Sequence, residues 1–451
     1  MTSSINTREI ILDMLLDINK NSTPSHILLR DTLKKYQYLD KIERSFISKV
    51  FEGTIENQIR LDYIINSFSN TKVNRMKPLI RCVIRMSVYQ IVYLDKTPDS
   101  AVCNEAVTLA AKRGFKTLKG FVNAVLRNIS RNKDNIQYPD INENKKEYFS
   151  IYYSTPMWLV EQLVEQYGET VAEKILMGMN SPKNGISVRI SERADKDKVI
   201  EDLNRNDIQT EESLIYERGL IIRGFDYLDK IDAFVKGDII PQDVSSMLVA
   251  HIANPKGNEY CIDICAAPGG KAVHLAEKLK GKGYVDARDR VVSKTDLIDE
   301  NIQRMKLENI GSSVSDATIL DVDSIEKADI VIADLPCSGL GVISKKSDIK
   351  YNMNSETENQ LANLQRNILK NAVKYLKNGG ILLYSTCTIN KAENVENMEW
   401  LKSEFALSPM DISEFLPKAF HEEETKSGYI QLLPGIDGTD GFFICKLKKQ
   451  V

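Results

Sequence analysis

Residues 259–271 read EYCIDICAAPGGK: an apolar run, YCIDIC, then an Ala-Ala-Pro-Gly-Gly turn and the start of a helix-forming stretch. A short apolar run closed by turn residues reads as a buried strand. The rhythm returns at GYVDARD (283–289), SSVSDA (312–317), DIVIADLPC (329–337) and GGILLYSTC (379–387). Strands alternating with helical stretches imply an α/β domain on a parallel, doubly wound sheet from about residue 241 onward.

Upstream the pattern changes. From Thr7 to about Asn132, runs such as REIILDMLLDI (8–18), RCVIRMSVYQIVYL (81–94) and FVNAVLRNIS (121–130) space their apolar residues at three and four. That spacing belongs to helices with one buried face, with Pro24, Pro78 and Pro98 as boundaries, and it predicts an all-α bundle. DNIQYPDINENKKEYFS (134–150) is polar and reads as a linker. Between 155 and 240, two helical runs (PMWLVEQLVEQYG, TVAEKILMGMN) precede the strand-like GISVRI and GLIIRG, a small α+β module.

The chain of 451 residues carries a net charge of −3, but unevenly. Residues 1–140 hold 22 Lys and Arg against 14 Asp and Glu, a surplus of +8, so the remainder carries −11. The basic residues cluster in 71–85 and 111–133, and a basic module joined to an acidic one suggests that the basic part meets a polyanion. Nothing approaches the roughly 18 consecutive apolar residues of a membrane helix, and the N-terminus has no signal-peptide design. Seven sparse cysteines fit a reducing compartment, so the expected location is cytoplasmic. Cys261 and Cys265 have no second close pair, so no metal is expected, and Cys82, Cys103, Cys261 and Cys445 read as core residues.

In open α/β sheets, ligands bind beyond the carboxyl ends of the strands. Those positions hold Asp263, the turn Cys265-Ala266-Ala267-Pro268-Gly269-Gly270-Lys271, then Asp289, Asp316, Asp334 with Pro336-Cys337, and Thr386-Cys387. The turn's glycines let backbone approach a ligand, but it is not G-x-G-x-x-G, so a dinucleotide pyrophosphate is not indicated. Asp289 is placed to accept from ribose hydroxyls and Asp316 to reach an adenine amino group. A nucleoside without a pyrophosphate fits S-adenosylmethionine. The four histidines, His26, His251, His274 and His421, are scattered and leave a Cys-His hydrolase unsupported.

DICAAPGGK, DLPCSGLGVI and YSTCT together resemble the Sun family of RNA 5-methylcytosine methyltransferases. QDVSSMLVA (242–250) resembles its lead-in segment and LLPGIDGTDGFFICKLKK (432–449) its closing strands. Residues 1–135 resemble the NusB RNA-binding fold in RLDYII, VNRMKPLIRCVIRMSVYQIVYLD, CNEAVTLAAK and KGFVNAVLRN. The resemblance implies a NusB-like helical domain (1–136), a linker and small α+β module (137–240) and a Rossmann-like class I methyltransferase domain (241–451). It implies methylation of C5 of a cytosine in 16S ribosomal RNA, cytosine 967 in the usual rRNA numbering; the chain is expected to be monomeric. The same chemistry on tRNA or another rRNA cytosine, a non-catalytic RNA-binding or assembly factor, and a DNA methyltransferase are the alternatives. The family pattern gives attack on C6 to Cys387 and release to Cys337, with Asp334 on the base. The sulfonium charge of the cofactor and Lys271 are both candidates for activating Cys387, and Cys265–Lys271, Asp289, Asp316 and Asp334 are expected around the cofactor. Three positions depart from the pattern: Leu335 for alanine in D-A-P-C, Thr388 for serine after T-C, and Arg189-Ile190-Ser191 for Arg-Val-Asn.

Overall fold

In the computed structural model, which describes residues 6–21, 23–181 and 185–450, contacts divide the chain into two units. One comprises Met1–Asn180 with Ile343–Asn352, the other Ser181–Val342 with Met353–Val451. The first is helical: α1 (Thr7–Asn21), α2 (Ser25–Lys35), α3 (Lys41–Glu56), α4 (Gln58–Phe68), α5 (Pro78–Tyr93), α6 (Asp99–Lys112) and α7 (Lys119–Asn132). Helix α5 is buried on nearly every side from Ile80 to Ile91, Arg81 apart, and it packs against α1, α3, α4, α6 and α7. Its Val83, Ile84 and Val88 meet Ile11, Phe51, Ile64 and Leu126 in one fully buried cluster.

The polar stretch after α7 ends in helix rather than coil. Asn144 caps α8 (Lys145–Tyr152) by accepting from the Glu147 N–H at 3.2 Å, and Phe149 is fully buried. Such a cap is worth about 1 kcal/mol, and its Asn-x-x-Glu spacing was a start signal hidden by the polar surroundings. Helices α9 (Met157–Tyr167) and α10 (Glu169–Met179) complete the unit.

The second unit begins with β1 (Ile186–Ile190), β2 (Gln209–Glu212), β3 (Gly219–Arg223) and β4 (Ile239–Pro241), an antiparallel sheet in the order β2-β3-β1-β4. The larger sheet contains β5 (Tyr260–Asp263), β6 (Tyr284–Asp289), β7 (Ile310–Val314), β8 (Ala328–Asp334), β9 (Leu376–Thr386), β10 (Leu407–Pro409), β11 (Tyr429–Leu432) and β12 (Phe442–Lys449). Its order is β10-β12-β9-β8-β5-β6-β7, with β11 also on β12. Strands β5 to β9 are parallel, as the repeated strand–turn–helix rhythm predicts. The sheet as a whole is mixed, because β12 runs antiparallel to β9, β10 and β11. Chain order reverses between β5 and β8, so the topological switch point lies where Asp263 and Asp334 end their strands. Cys82, Cys103, Cys261 and Cys445 are buried in the cores, as expected.

Candidate active site

The switch point gathers the residues that the sequence had spread over 125 positions. Asp334 stands opposite Ser385 in the β8–β9 ladder. Both its carboxylate oxygens are engaged: Ser385 Oγ donates to Oδ1 at 2.7 Å and Lys271 Nζ to Oδ2 at 2.7 Å. Burial works against the Lys271 charge, but Asp334, with Asp263 and Cys387 nearby, holds its pKa above the ordinary lysine value. Asp263, at the end of β5, is fully buried, and its side chain has no hydrogen-bonded side-chain partner among the described residues. Burial first, then the neighbouring Asp334, pushes its pKa up to about 7 against the pull of Lys271.

The two cysteines that follow β8 and β9 touch, with Cys337 Sγ 3.3 Å from Cys387 Sγ. Their turns are laced together. Ser338 Oγ lies 2.6 Å from Thr388 Oγ1, and the Gly341 N–H donates to the Cys387 carbonyl at 3.0 Å while Gly441 N–H donates to the Gly341 carbonyl at 2.9 Å. A Cβ on Gly341 would sit 2.0 Å from the Gly441 carbonyl oxygen and 2.8 Å from that of Cys387, so only glycine permits this approach. The hydrogen bond to Cys387 and burial raise the Cys337 pKa well above the ordinary thiol range, which keeps it a protonated donor.

Beside the thiols, a cavity of about 330 Å³ is lined by Cys265, Ala267, Asp289, Asp316, Asp334 and Pro336, among others. Asp289 ends β6, where Oδ2 accepts from the Ala267 N–H and Oδ1 from the Val291 N–H, each at 3.3 Å. Asp316 lies two residues past β7, and its Oδ1 accepts from the Thr318 N–H (2.9 Å) and Oγ1 (2.6 Å). Ala266, Pro268, Gly269 and Gly270 do not line this cavity. They build the turn, with Gly269 at φ +102° where a side chain would be strained, and its N–H on the Ala266 carbonyl at 2.7 Å.

Sequence reasoning missed the net behind the cysteines. Glu393 is fully buried and accepts from the Ser338 N–H at 2.9 Å and from Gln365 Nε2 at 2.8 Å. Burial raises its pKa. Gln365 Nε2 also donates to the Pro336 carbonyl at 3.0 Å. The only hint in the sequence was Glu393 standing six residues beyond Cys387 in an otherwise ordinary helix start. Arg189 has a structural place: fully buried, it donates to Glu277 at 2.5 Å and to Gln242 at 2.9 Å. Glu277 lies on the helix Gly270–Lys278, which begins at the Gly-Gly turn, so Arg189 and Ser191, also bonded to Glu277, brace the helix that carries Lys271.

In the helical unit the expected basic clusters are partly spent. Arg85 pairs with Asp62, Lys112 with Glu9, Arg113 with Glu9 and Asp13, and Lys133 with Asp99. Lys72, Arg75, Lys77, Lys116, Lys119, Arg127 and Arg131 remain exposed. Among the described residues no helix is long and apolar enough to cross a membrane. Nor does any group of three or more His, Cys, Asp and Glu side chains among them offer a metal site.

A mixed sheet whose parallel strands β5 to β9 carry acidic ends, a switch-point cavity and a NusB-like helical unit define a Rossmann-like methyltransferase carrying a NusB-type domain. A family model described as 16S rRNA methyltransferase RsmB/F matches residues 250–448, and the NusB family matches residues 5–131. The chain is 35% identical to the probable ribosomal RNA small subunit methyltransferase B of Bacillus subtilis over 449 residues, 98% of each chain. It is 30% identical to the corresponding probable protein of Synechocystis, covering 99% of this chain and 100% of that one. Among solved structures, that of PH0851 is 26% identical with a TM-score of 0.81, covering 99% of each chain. The chain belongs to the ribosomal RNA small subunit methyltransferase B family.

Proposed function

We propose that the protein transfers a methyl group from S-adenosylmethionine to C5 of a cytosine in 16S ribosomal RNA, cytosine 967 in the usual numbering, through a covalent adduct between Cys387 and C6. The observation that carries this reading is the contact of two thiols, Cys337 and Cys387, beside Asp334 and Lys271 at the switch point. Family membership supports the rRNA substrate.

The cavity residues fit the cofactor. Asp289 and Asp316 line the cavity and suit ribose hydroxyls and an adenine amino group; Asp263, fully buried at the end of β5 and outside that lining, offers an acceptor suited to an ammonium. When bound, S-adenosylmethionine supplies an electrophilic methyl group. The chain must make C5 nucleophilic, and a thiolate does this by adding to C6, converting one difficult step into easier ones. Lys271 favours the Cys387 thiolate by its charge, and the Cys337 S–H by a hydrogen bond. Asp334 accepts from the exocyclic amine of the base and from N3–H when N3 is protonated, which eases attack at C6. After transfer the C5 proton leaves to solvent and the C6–S bond breaks. Its electron pair returns to Cys387 as a thiolate, which the Cys337 S–H stabilises by donating a hydrogen bond. The base must be unpaired or flipped from its stack, at a cost of roughly a few kcal/mol. The exposed lysines and arginines of the helical unit hold phosphates, which position the RNA rather than read its sequence.

The test is transfer of labelled methyl from S-adenosylmethionine to unmodified 16S rRNA, with the modified base mapped. Label at C5 of the expected cytosine is the predicted result. Label on tRNA alone, or on another rRNA cytosine, would replace the target, and label on no RNA or ribosomal particle would end the reading.

A further inference from the structure

The chain that leaves Cys337 runs on into the helical unit, to which Ile343–Asn352 belongs. There it is held by charges set against helix ends. Asp348, 6% exposed, accepts from the Ser25 N–H at 3.1 Å and from Ser25 Oγ at 2.5 Å. Ser25 is the first residue of α2, a helix with no side-chain cap of its own and no acidic residue in its first turn. Lys350, 1% exposed, donates at 2.8 Å to the carbonyl of Glu56, the last residue of α3. The Tyr351 hydroxyl donates to the same carbonyl at 3.1 Å, and the last turn of α3 has no basic residue. A carboxylate at a helix N-terminus and an ammonium at a C-terminus both complement the helix dipole. Each also meets backbone groups that a helix end leaves unpaired.

This arrangement is more than a loop needs in order to return to its sheet. Lysine is almost never fully buried, and burial pulls the Lys350 pKa down to about 7, so its seat is held at a cost. The other end of the same stretch is also fixed. Gly341 is pinned between the Cys387 carbonyl and the Gly441 N–H, and only six residues separate Gly341 from Asp348. That short covalent link is the route by which freedom gained at Asp348 and Lys350 would reach Cys337.

We infer that Ile343–Asn352 is a tether from the helical unit to the Pro-Cys turn, and that Asp348 and Lys350 are positioning residues for Cys337. The inference rests on the role proposed above for Cys337. It makes the helical unit part of the catalytic apparatus as well as an RNA clamp.

The experiment uses the full chain as Asp348→Ala, Asp348→Asn and Lys350→Met. Iodoacetamide labelling of Cys337, resolved from Cys387 by peptide mass spectrometry, reports the turn directly. Hydrogen exchange over 343–352 reports whether the segment is released. For Asp348→Ala the expected result is labelling of Cys337 faster by about fivefold or more. Turnover on 16S rRNA should fall about tenfold with the KM for RNA changed by less than about twofold. Asp348→Asn, which keeps an acceptor for Ser25, should recover most of both. Unchanged Cys337 labelling in a variant whose 343–352 amides exchange faster would overturn the tether. If Asp348→Ala does not fold, Lys350→Met carries the same measurement. Absence of methyl transfer by the wild type would sink the proposed function, while the labelling result would still decide the tether.

Discussion

Cys337 and Cys387 follow neighbouring parallel strands at the same end of the sheet, yet their turns are built from different materials. Cys387 comes directly after the eleven-residue β9, whose backbone is paired with β8 on one side and β12 on the other. Its position is set by the sheet ladder. Cys337 comes three residues after β8, past Leu335-Pro336, and side chains hold its turn: Glu393 on the Ser338 N–H, Gln365 on the Pro336 carbonyl, Thr388 on the Ser338 hydroxyl. The ladder suits an atom that must attack from one fixed place. The polar net suits a thiol that must shuttle a hydrogen bond as its partner forms and breaks a covalent bond.

Exchanging the thiols one at a time tests that division most severely. Cys387→Ala should lower methyl transfer by more than about a thousandfold and give no RNA-linked protein on a denaturing gel. Cys337→Ala should still form the adduct and accumulate it. An adduct that survives in Cys387→Ala but vanishes in Cys337→Ala would reverse the two roles. Next in size is the carboxylate between the turns. Asp334→Ala should cost about a hundredfold in kcat by misplacing the base, while cofactor affinity stays within a few-fold in a direct binding titration. A large loss of cofactor affinity would make Asp334 a cofactor ligand instead.

Glu393→Gln probes the net alone. Hydrogen bonds to a charged acceptor are worth about 1.5–3 kcal/mol, so a loss near the lower figure is expected in denaturant midpoints. The pH dependence carries the sign. Burial raises the Glu393 pKa above 4.5, so over that window the folded protein binds more protons than the unfolded chain. Its contribution to stability is full below 4.5 and is lost as pH rises through the raised value. The glutamine variant should lack that decline, and matching pH profiles would show that Glu393 carries no such burden.

The same contrast explains what could be read from sequence. Ladder-borne features were legible: Asp263, Asp289, Asp334 and Cys387 end apolar runs, and a parallel sheet brings all strand ends of one polarity to one edge. The antiparallel β12 was recognisable only as a closing strand by resemblance, because an apolar run does not state its direction. Features made by tertiary partners left no local trace. Glu393 is one ordinary glutamate among many until Ser338 and Gln365 surround it. Asp348 and Lys350 look like solvated charges until they meet helix ends some 300 residues earlier in the chain. The basic clusters erred the other way, since Arg85, Lys112, Arg113 and Lys133 were spent on acidic partners that composition could not place.

The smallest expected effect belongs to the residue that looked most like a departure. Thr388 stands where the family pattern usually has serine, and its hydroxyl lies 2.6 Å from that of Ser338, both side chains fully or almost fully buried. It also receives the Asn390 N–H at 3.3 Å. What the position requires is therefore a hydroxyl, and the extra methyl of threonine is incidental to the lacing. Thr388→Val keeps the shape but leaves Ser338 without this partner, and a buried hydroxyl deprived of one costs about 1–3 kcal/mol. The loss should appear in thermal midpoints and in slower release of the RNA adduct, since the Cys337 turn is the one that loosens. Thr388→Ser restores the bond and leaves only a methyl-sized gap, which costs about 1 kcal/mol or less in stability and should leave adduct release unchanged. If serine and valine prove equally harmful, the methyl rather than the hydroxyl holds the turns together, and the polar net is not what distinguishes Cys337 from Cys387.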